Sequence, residues 1–152
     1  MRLAAQADLS AVAAICRDAY AVGYLPLIGS LPKPALEDYA PRIARGEVYV
    51  AERDGRPAAV LVLTAEPPVL KIYNIAVAPE SQGQGLGTAC LAFAEAEARR
   101  RGLTRLYLHT NTRLDANIRL YRRAGFIPSG ERPHPSLAGE RLMMLERALP
   151  PN

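Results

Sequence analysis

At 152 residues, with 49% hydrophobic and 22% charged content and a formal net charge of +4, the chain has the composition of one soluble globular domain able to bury a single core. The longest uncharged apolar run, Pro57 to Ala65, is too short to span a bilayer, and no basic stretch followed by an apolar one opens the chain, so a cytoplasmic protein with no membrane partner is expected. The basic residues are nearly all Arg, and their dense run, Arg99-Arg100-Arg101, ends a predicted helix where cations offset the dipole, so no nucleic-acid partner is expected.

In chain order, Arg2-Leu3-Ala4 reads as a short first strand. Asp8 is placed as the N-cap of a helix carrying Leu9, Val12, Ile15, Cys16 and Ala19 at helical spacing. Ala21 to Pro32 holds Gly23, Pro26, Gly29 and Pro32, which predicts an apolar loop. Pro34, Leu36, Tyr39, Ala40 and Ile43 give a second helix, and Pro41 should kink it or split it in two. Glu47 to Glu52 alternates as a strand. Asp54-Gly55 signals a hairpin, and Pro57 to Thr64 returns. Cys16 and Cys90 fall in predicted helices without metal-ligand spacing, so both are expected to be reduced packing residues and no metal is expected.

Val69 to Val77 reads as the central strand, Thr88 to Arg101 as a helix, and Gly102 as its end. Between them lies Gln82-Gly83-Gln84-Gly85-Leu86-Gly87. Glycines at alternate positions free the backbone to approach a ligand, and the following helix start offers unpaired N–H groups to an anion such as a pyrophosphate. A Walker loop needs a Lys before Thr88, and a dinucleotide fingerprint needs G-x-G-x-x-G; neither is present. The alternative is an ordinary strand-to-helix turn. Leu103 to Thr110 reads as a strand joined by a parallel, right-handed crossover. Asp115 is placed to cap a helix through Ala124. Gly125 takes the C′ position, with Phe126 at C″ touching Tyr121 in a Schellman ending. Phe126 to Glu131 and Gly139 to Arg147 read as closing strands around a Pro-rich loop containing His134.

The glycine loop resembles the pyrophosphate loop of the GNAT acyl-CoA-dependent N-acetyltransferases. The run Asn117 to Phe126, with Tyr121 four residues before Gly125-Phe126, is similar to that family's second signature. The element order matches as well. The resemblance implies an α/β (α+β) fold with a mixed sheet of six to seven strands and about four helices. It also implies a cofactor cleft between two splayed parallel strands. The whole chain would be one N-acetyltransferase domain with acetyl-CoA as co-substrate.

The resemblance assigns pantetheine pairing to the backbone of Ile75, Ala76 and Val77, where an N–H would polarise the acetyl carbonyl. Gln82, Gly83, Gln84, Gly85, Leu86, Gly87 and Thr88 would form the diphosphate loop, with Gln82 supporting it. Tyr121 matches the donor of a proton to the departing thiolate; phenol and thiol pKa values of about 10 and 8.5 suit that exchange. Where many relatives carry a cofactor-binding Asn, this chain has Leu114. Asn117, on the same helical face as Tyr121, is the substitute candidate, with Asn111 behind it. His109 occupies the position where some relatives place a Glu base; Glu66, Glu80 and Asn74 are lesser candidates, and Tyr73 and Tyr107 are expected to pack in the sheet. The loops from Tyr20 to Pro32 and from Arg132 to Gly139 would flank the acceptor, which nominates Tyr24, Leu25 and His134. The acceptor would be a small-molecule or peptide amine. A non-catalytic acyl-CoA sensor of the same fold is the alternative, and a homodimer is left open.

Overall fold

The computed structural model describes residues 1–151. Seven strands and six α-helices follow one another as β1 (Arg2–Leu3), α1 (Leu9–Gly23), α2 (Leu25–Ile28), α3 (Lys33–Leu36), α4 (Ala40–Ala44), β2 (Val48–Arg53), β3 (Arg56–Glu66), β4 (Val69–Val77), α5 (Leu86–Arg100), β5 (Arg105–Asn111), α6 (Asp115–Arg123), β6 (Ile127–Pro133) and β7 (Arg141–Ala148). The sheet is mixed, with strand order β1-β2-β3-β4-β5-β7-β6. The chain divides into two compact units: Met1–Thr64 with Tyr73–Phe93, and Ala65–Ile72 with Ala94 onward.

In the first unit, β1, β2 and β3 pair antiparallel. Asp54 and Gly55 turn the β2–β3 hairpin with positive φ at both positions (53° and 77°), as a two-residue turn requires. Val12, Ile15 and Cys16 of α1, Tyr39, Ile43 of α4, and Val48, Val50, Val60 and Val62 of the hairpin form the core. Each such aliphatic side chain contributes about 1.5–3 kcal/mol on burial.

One expectation for this unit is corrected, and another holds in position only. Residues 21–32 are largely helical: α1 runs on to Gly23, Pro26 sits in the first turn of α2, and Gly29 closes α2 in the left-handed conformation at φ 85°. The breakers punctuate short helices and leave 29–32 as the connection; α2 here and the division at Pro41 together raise the helix number from four to six. Asp8 takes the expected N-cap position of α1, but its side chain makes no capping bond to that helix. Its carboxylate accepts from the Ala5 N–H and from Arg2, and is held down at about 2 chiefly by the Arg2 guanidinium. Of the two alternatives at Pro41, the split holds: α3 and α4 are separate, with Pro41 in the first turn of α4.

In the second unit, β4 pairs parallel to β5 over Val69–Lys71 against Arg105–Tyr107, and β7 lies antiparallel between β5 and β6. The end of α5 is a Schellman turn, with Gly102 N–H on the Arg99 carbonyl (3.1 Å) and Leu103 N–H on that of Ala98 (2.9 Å). α6 ends the same way at Gly125. At its start, Asp115 is the first helical residue and Leu114 the N-cap, so the expected aspartate cap is displaced by one residue.

Candidate active site

Gln82 to Gly85 form an exposed turn after β4, with Gly83 at φ 77° and Gly85 at φ 83°. A Cβ at either glycine would meet no atom within 4 Å, so the backbone conformation, not crowding, calls for glycine here. The Gln82 amide donates to the Val77 carbonyl at 3.3 Å, tying the turn to the end of β4. The first helical bond of α5 is Ala89 N–H to the Gly85 carbonyl (3.0 Å). Leu86, Gly87 and Thr88 therefore form the first turn, two residues earlier than expected, and their N–H groups lack acceptors within the helix. Ile75 and Val77 are half-buried and Ala76 is buried. The β4–β5 pairing ends at Lys71, before these three residues are reached.

Asn74 is 3% exposed. Its carbonyl accepts from the Tyr20 hydroxyl (2.9 Å), and its amide donates to the Tyr39 oxygen (3.0 Å) and the Cys16 sulfur (3.3 Å). Both amide hydrogens are thus committed, and the carbonyl oxygen holds one of the two bonds it can accept. Burial pushes the Cys16 and Cys90 thiols up to about 11, so both stay protonated and inert; both are free and buried. Tyr73 donates to Glu37 (2.6 Å) under the Arg42 guanidinium, and burial followed by that bond raises its phenol to about 12. Tyr24 is buried edge-on against Tyr20 at 5.8 Å between centroids, whereas Leu25 is 39% exposed. Glu80 is also exposed.

In the second unit, Tyr121 is half-buried in the last turn of α6, and Asn117, one turn earlier, is exposed. Asn111 is spent structurally: its amide donates to Glu140 (3.0 Å) and its carbonyl accepts from the Arg113 N–H (2.9 Å). His134 Nδ1 accepts from the backbone N–H groups of Ser136 (3.1 Å) and Leu137 (3.0 Å), which fixes the tautomer with its proton on Nε2. His134 thus builds its own loop with one nitrogen and leaves the other for a ligand.

His109 is half-buried on β5. Burial first, then the charges of Lys71 and Arg132 and the His134 ring, lower its pKa to about 4. The ring is therefore neutral across the working range, able to accept a hydrogen bond yet a weak base. Lys71 and Arg132 did not figure among the expected site residues. Lys71, the one charged residue in the run Val69 to Val77, is the available signal.

The pattern of the Acetyltransferase (GNAT) family matches residues 13–126. No curated protein matches the sequence. Among solved structures, the chain is similar to ribosomal-protein-S18-alanine N-acetyltransferase from Escherichia coli, with TM-score 0.75 and 24% identity over 96% of this chain and 90% of that one. It is similar to the ribosomal-protein-alanine N-acetyltransferase of Brucella melitensis, with TM-score 0.77 and 24% identity over 97% and 98%. A third is the PaiA N-acetyltransferase of Thermoplasma acidophilum in complex with coenzyme A, at TM-score 0.80 and 15% identity over 97% and 96%. At these identities the likenesses show the fold.

Proposed function

Since the chain belongs to the acetyltransferase (GNAT) family, we propose that it moves an acetyl group from acetyl-CoA to a primary amine by direct attack within a ternary complex. The observation that carries this proposal is the turn Gln82–Gly85. Two left-handed glycines with open space around them lead into a helix whose first three N–H groups lack helical acceptors. Such a turn suits a diphosphate. The Gln82 bond to the Val77 carbonyl supports it, and Ile75–Val77 keep a backbone edge that β5 does not pair.

Acetyl-CoA supplies the activated thioester, and the chain supplies the rest. Gly83 to Thr88 bind the diphosphate. Backbone groups of Ile75, Ala76 and Val77 hold the pantetheine, and one of their N–H groups polarises the acetyl carbonyl. Asn117 adds a side-chain contact from the face of α6 that carries Tyr121. The Tyr121 hydroxyl gives its proton to the departing sulfur. His109, neutral and weakly basic, takes the proton that the attacking amine loses, directly or through water, and that proton returns through solvent to the Tyr121 phenolate. Tyr24, Leu25 and the Nε2 side of His134 are the candidate acceptor contacts. The two structural neighbours named for ribosomal-protein alanine favour a peptide or protein amine. A cytoplasmic setting completes the proposal, supported by two unbridged thiols.

The test is thiol release from acetyl-CoA across a panel of free-amine peptides and small amines, run alongside Tyr121→Phe. Saturable acetyl-CoA uptake with turnover that falls in the Phe variant is expected. Tight uptake with no turnover of any amine would instead mark a non-catalytic acyl-CoA-binding module.

A further inference from the structure

Three rows of residues cross the sheet of the second unit on the face that carries His109. Lys71, Tyr107 and Glu146 are in register across β4, β5 and β7. His109, Met144 and Gly130 form the next row, and Asn111, Leu142 and Arg132 the one beyond. Residues two apart on a strand share a face, so Lys71, on the adjacent β4 and one row before His109, and Arg132, on β6 beyond β7 and one row after it, lie on the His109 face. Gly130 keeps this face low. A Cβ there would come within 3.2 Å of the Met144 methyl, which lies over the glycine.

The charges on this face do not cancel locally. Neither Lys71 nor Arg132 makes an ion pair among the described residues, although Lys71 is half-buried. The carboxylates of the β6–β7 hairpin are already engaged, Glu131 with Arg141 (3.2 Å) and Glu140 with Arg113 (3.1 Å). Glu146 lies 3.7 Å from Arg105. That leaves Glu66, exposed at the end of β3, as the nearby acid with no ion pair. Two cations without an ion pair on one face can each donate a charge-assisted hydrogen bond to a ligand anion.

We propose that Lys71 and Arg132 form an anion-selecting pair beside His109, so that the preferred acceptor is an amine whose own molecule carries a carboxylate close to it. This rests on the proposed reception of the amine next to His109. It also answers a chemical difficulty of that site. A weakly basic imidazole cannot strip an alkylammonium efficiently, but two nearby cations disfavour the protonated amine and so lower its pKa. They would equally repel a cationic acceptor, unless that molecule brings an anion to hold them. Excess cations thus favour the reactive neutral amine, and the acceptor's carboxylate restores affinity.

The test uses two matched pairs of acceptors with saturating acetyl-CoA. Alanine against alaninamide places the carboxylate on the amine-bearing residue itself. A free-N-terminus tetrapeptide with Glu at its second position, against the same peptide with Gln, places it one residue on. In at least one pair the acidic member should show a kcat/KM higher by roughly tenfold or more, as expected for a charge-assisted contact. The ratio should shrink towards one in Lys71→Met and Arg132→Gln, while acetyl-CoA affinity, titrated separately, stays within about twofold. Which pair responds identifies the source of the carboxylate. Equal or better turnover of the neutral member in both pairs overturns the proposal, as does a ratio that survives the double variant or an absence of turnover with all four acceptors. A wild-type chain that takes up no acetyl-CoA would bring down the acetyltransferase assignment itself, which is a different result.

Discussion

The Phe126 ring stands edge-on to Tyr121 at 6.2 Å between centroids, and its backbone N–H bonds the Tyr121 carbonyl at 3.0 Å. Gly125 between them, at φ 92°, bonds the Arg122 carbonyl. One Schellman turn thereby ends α6, and its hydrophobic contact fixes the ring proposed to protonate the thiolate. Backbone capping and the proposed proton transfer depend on the same three residues.

Tyr121→Phe and Phe126→Ala should separate those duties. The first keeps the ring and its edge contact, so stability should change by less than about 1 kcal/mol while kcat falls by roughly 10²-fold, the scale of one general acid. The second empties a site only 3% exposed and should cost about 3–5 kcal/mol. Thermal melts and thiol-release rates on both variants check this. A Tyr121→Phe protein with wild-type kcat would remove Tyr121 from the chemistry.

Gly85→Ala places a Cβ in the left-handed region but against no atom of the protein. Its stability cost should be about 1–2 kcal/mol, from backbone strain alone. Gly46, at φ 73° in equally open space between α4 and β2, is the control. Gly46→Ala should lose similar stability and keep its acetyl-CoA affinity, while Gly85→Ala should bind at least tenfold more weakly, because the added methyl would stand where the proposed diphosphate site lies. Calorimetric titration of both variants decides the matter. Matched affinities would show that the loop does not touch the cofactor.

What the sequence disclosed, and what it hid, follows the range of the interactions. The β2–β3 hairpin, the glycine turn and the Schellman ending at Gly125 are local, encoded in dipeptides and in period-two or helical patterns, and each forms where expected. The segment 21–32 was misjudged because Gly and Pro serve equally as loop residues and as ends of one-turn helices. Asp8 stands at the N-cap as expected, but Arg2, six residues away, and the Ala5 N–H hold the carboxylate that would have capped α1. The gathering of Lys71, His109 and Arg132 needs the β4–β5 and β5–β7–β6 registers, including the shift between Pro128 and Gly130 that sets the side on which Arg132 falls. No local pattern carries that information.

Asn74 joins Tyr20 of α1, Tyr39 and Cys16 through one amide. Asn74→Ala should cost about 2–4 kcal/mol, since it leaves a cavity and strips the Tyr20 hydroxyl of this acceptor. A double-mutant cycle with Tyr20→Phe should return a coupling of about 0.5–3 kcal/mol. Urea denaturation with an unchanged m-value measures it. Strict additivity of the two substitutions would mean that the Tyr20–Asn74 bond contributes nothing.

The last prediction concerns His109 and acid. Its folded pKa, lowered from the ordinary 6.5 to about 4 by burial and by the charges of Lys71 and Arg132 and the His134 ring, makes the unfolded chain the stronger proton binder between those values. Stability must then rise with pH through that interval. The contribution is whole above pH 6.5 and is lost as pH falls from 6.5 towards 4, and it amounts to on the order of 2–3 kcal/mol. Two carboxylates act lower on the scale. Glu97, held at about 2 chiefly by Arg100, and Asp8, held at about 2 chiefly by Arg2, lose their contributions only below their ordinary values of 4.5 and 3.8. His109→Gln should therefore flatten the stability profile between pH 6.5 and 4.5 and leave the steeper acid limb in place. In wild type the kcat/KM profile should show no step at pH 6.5 that belongs to this ring, because the ring is already neutral there. A step near 6.5 that vanishes in His109→Gln would mean that the imidazole titrates as if exposed, and the flanking cations would then lose their claim on it.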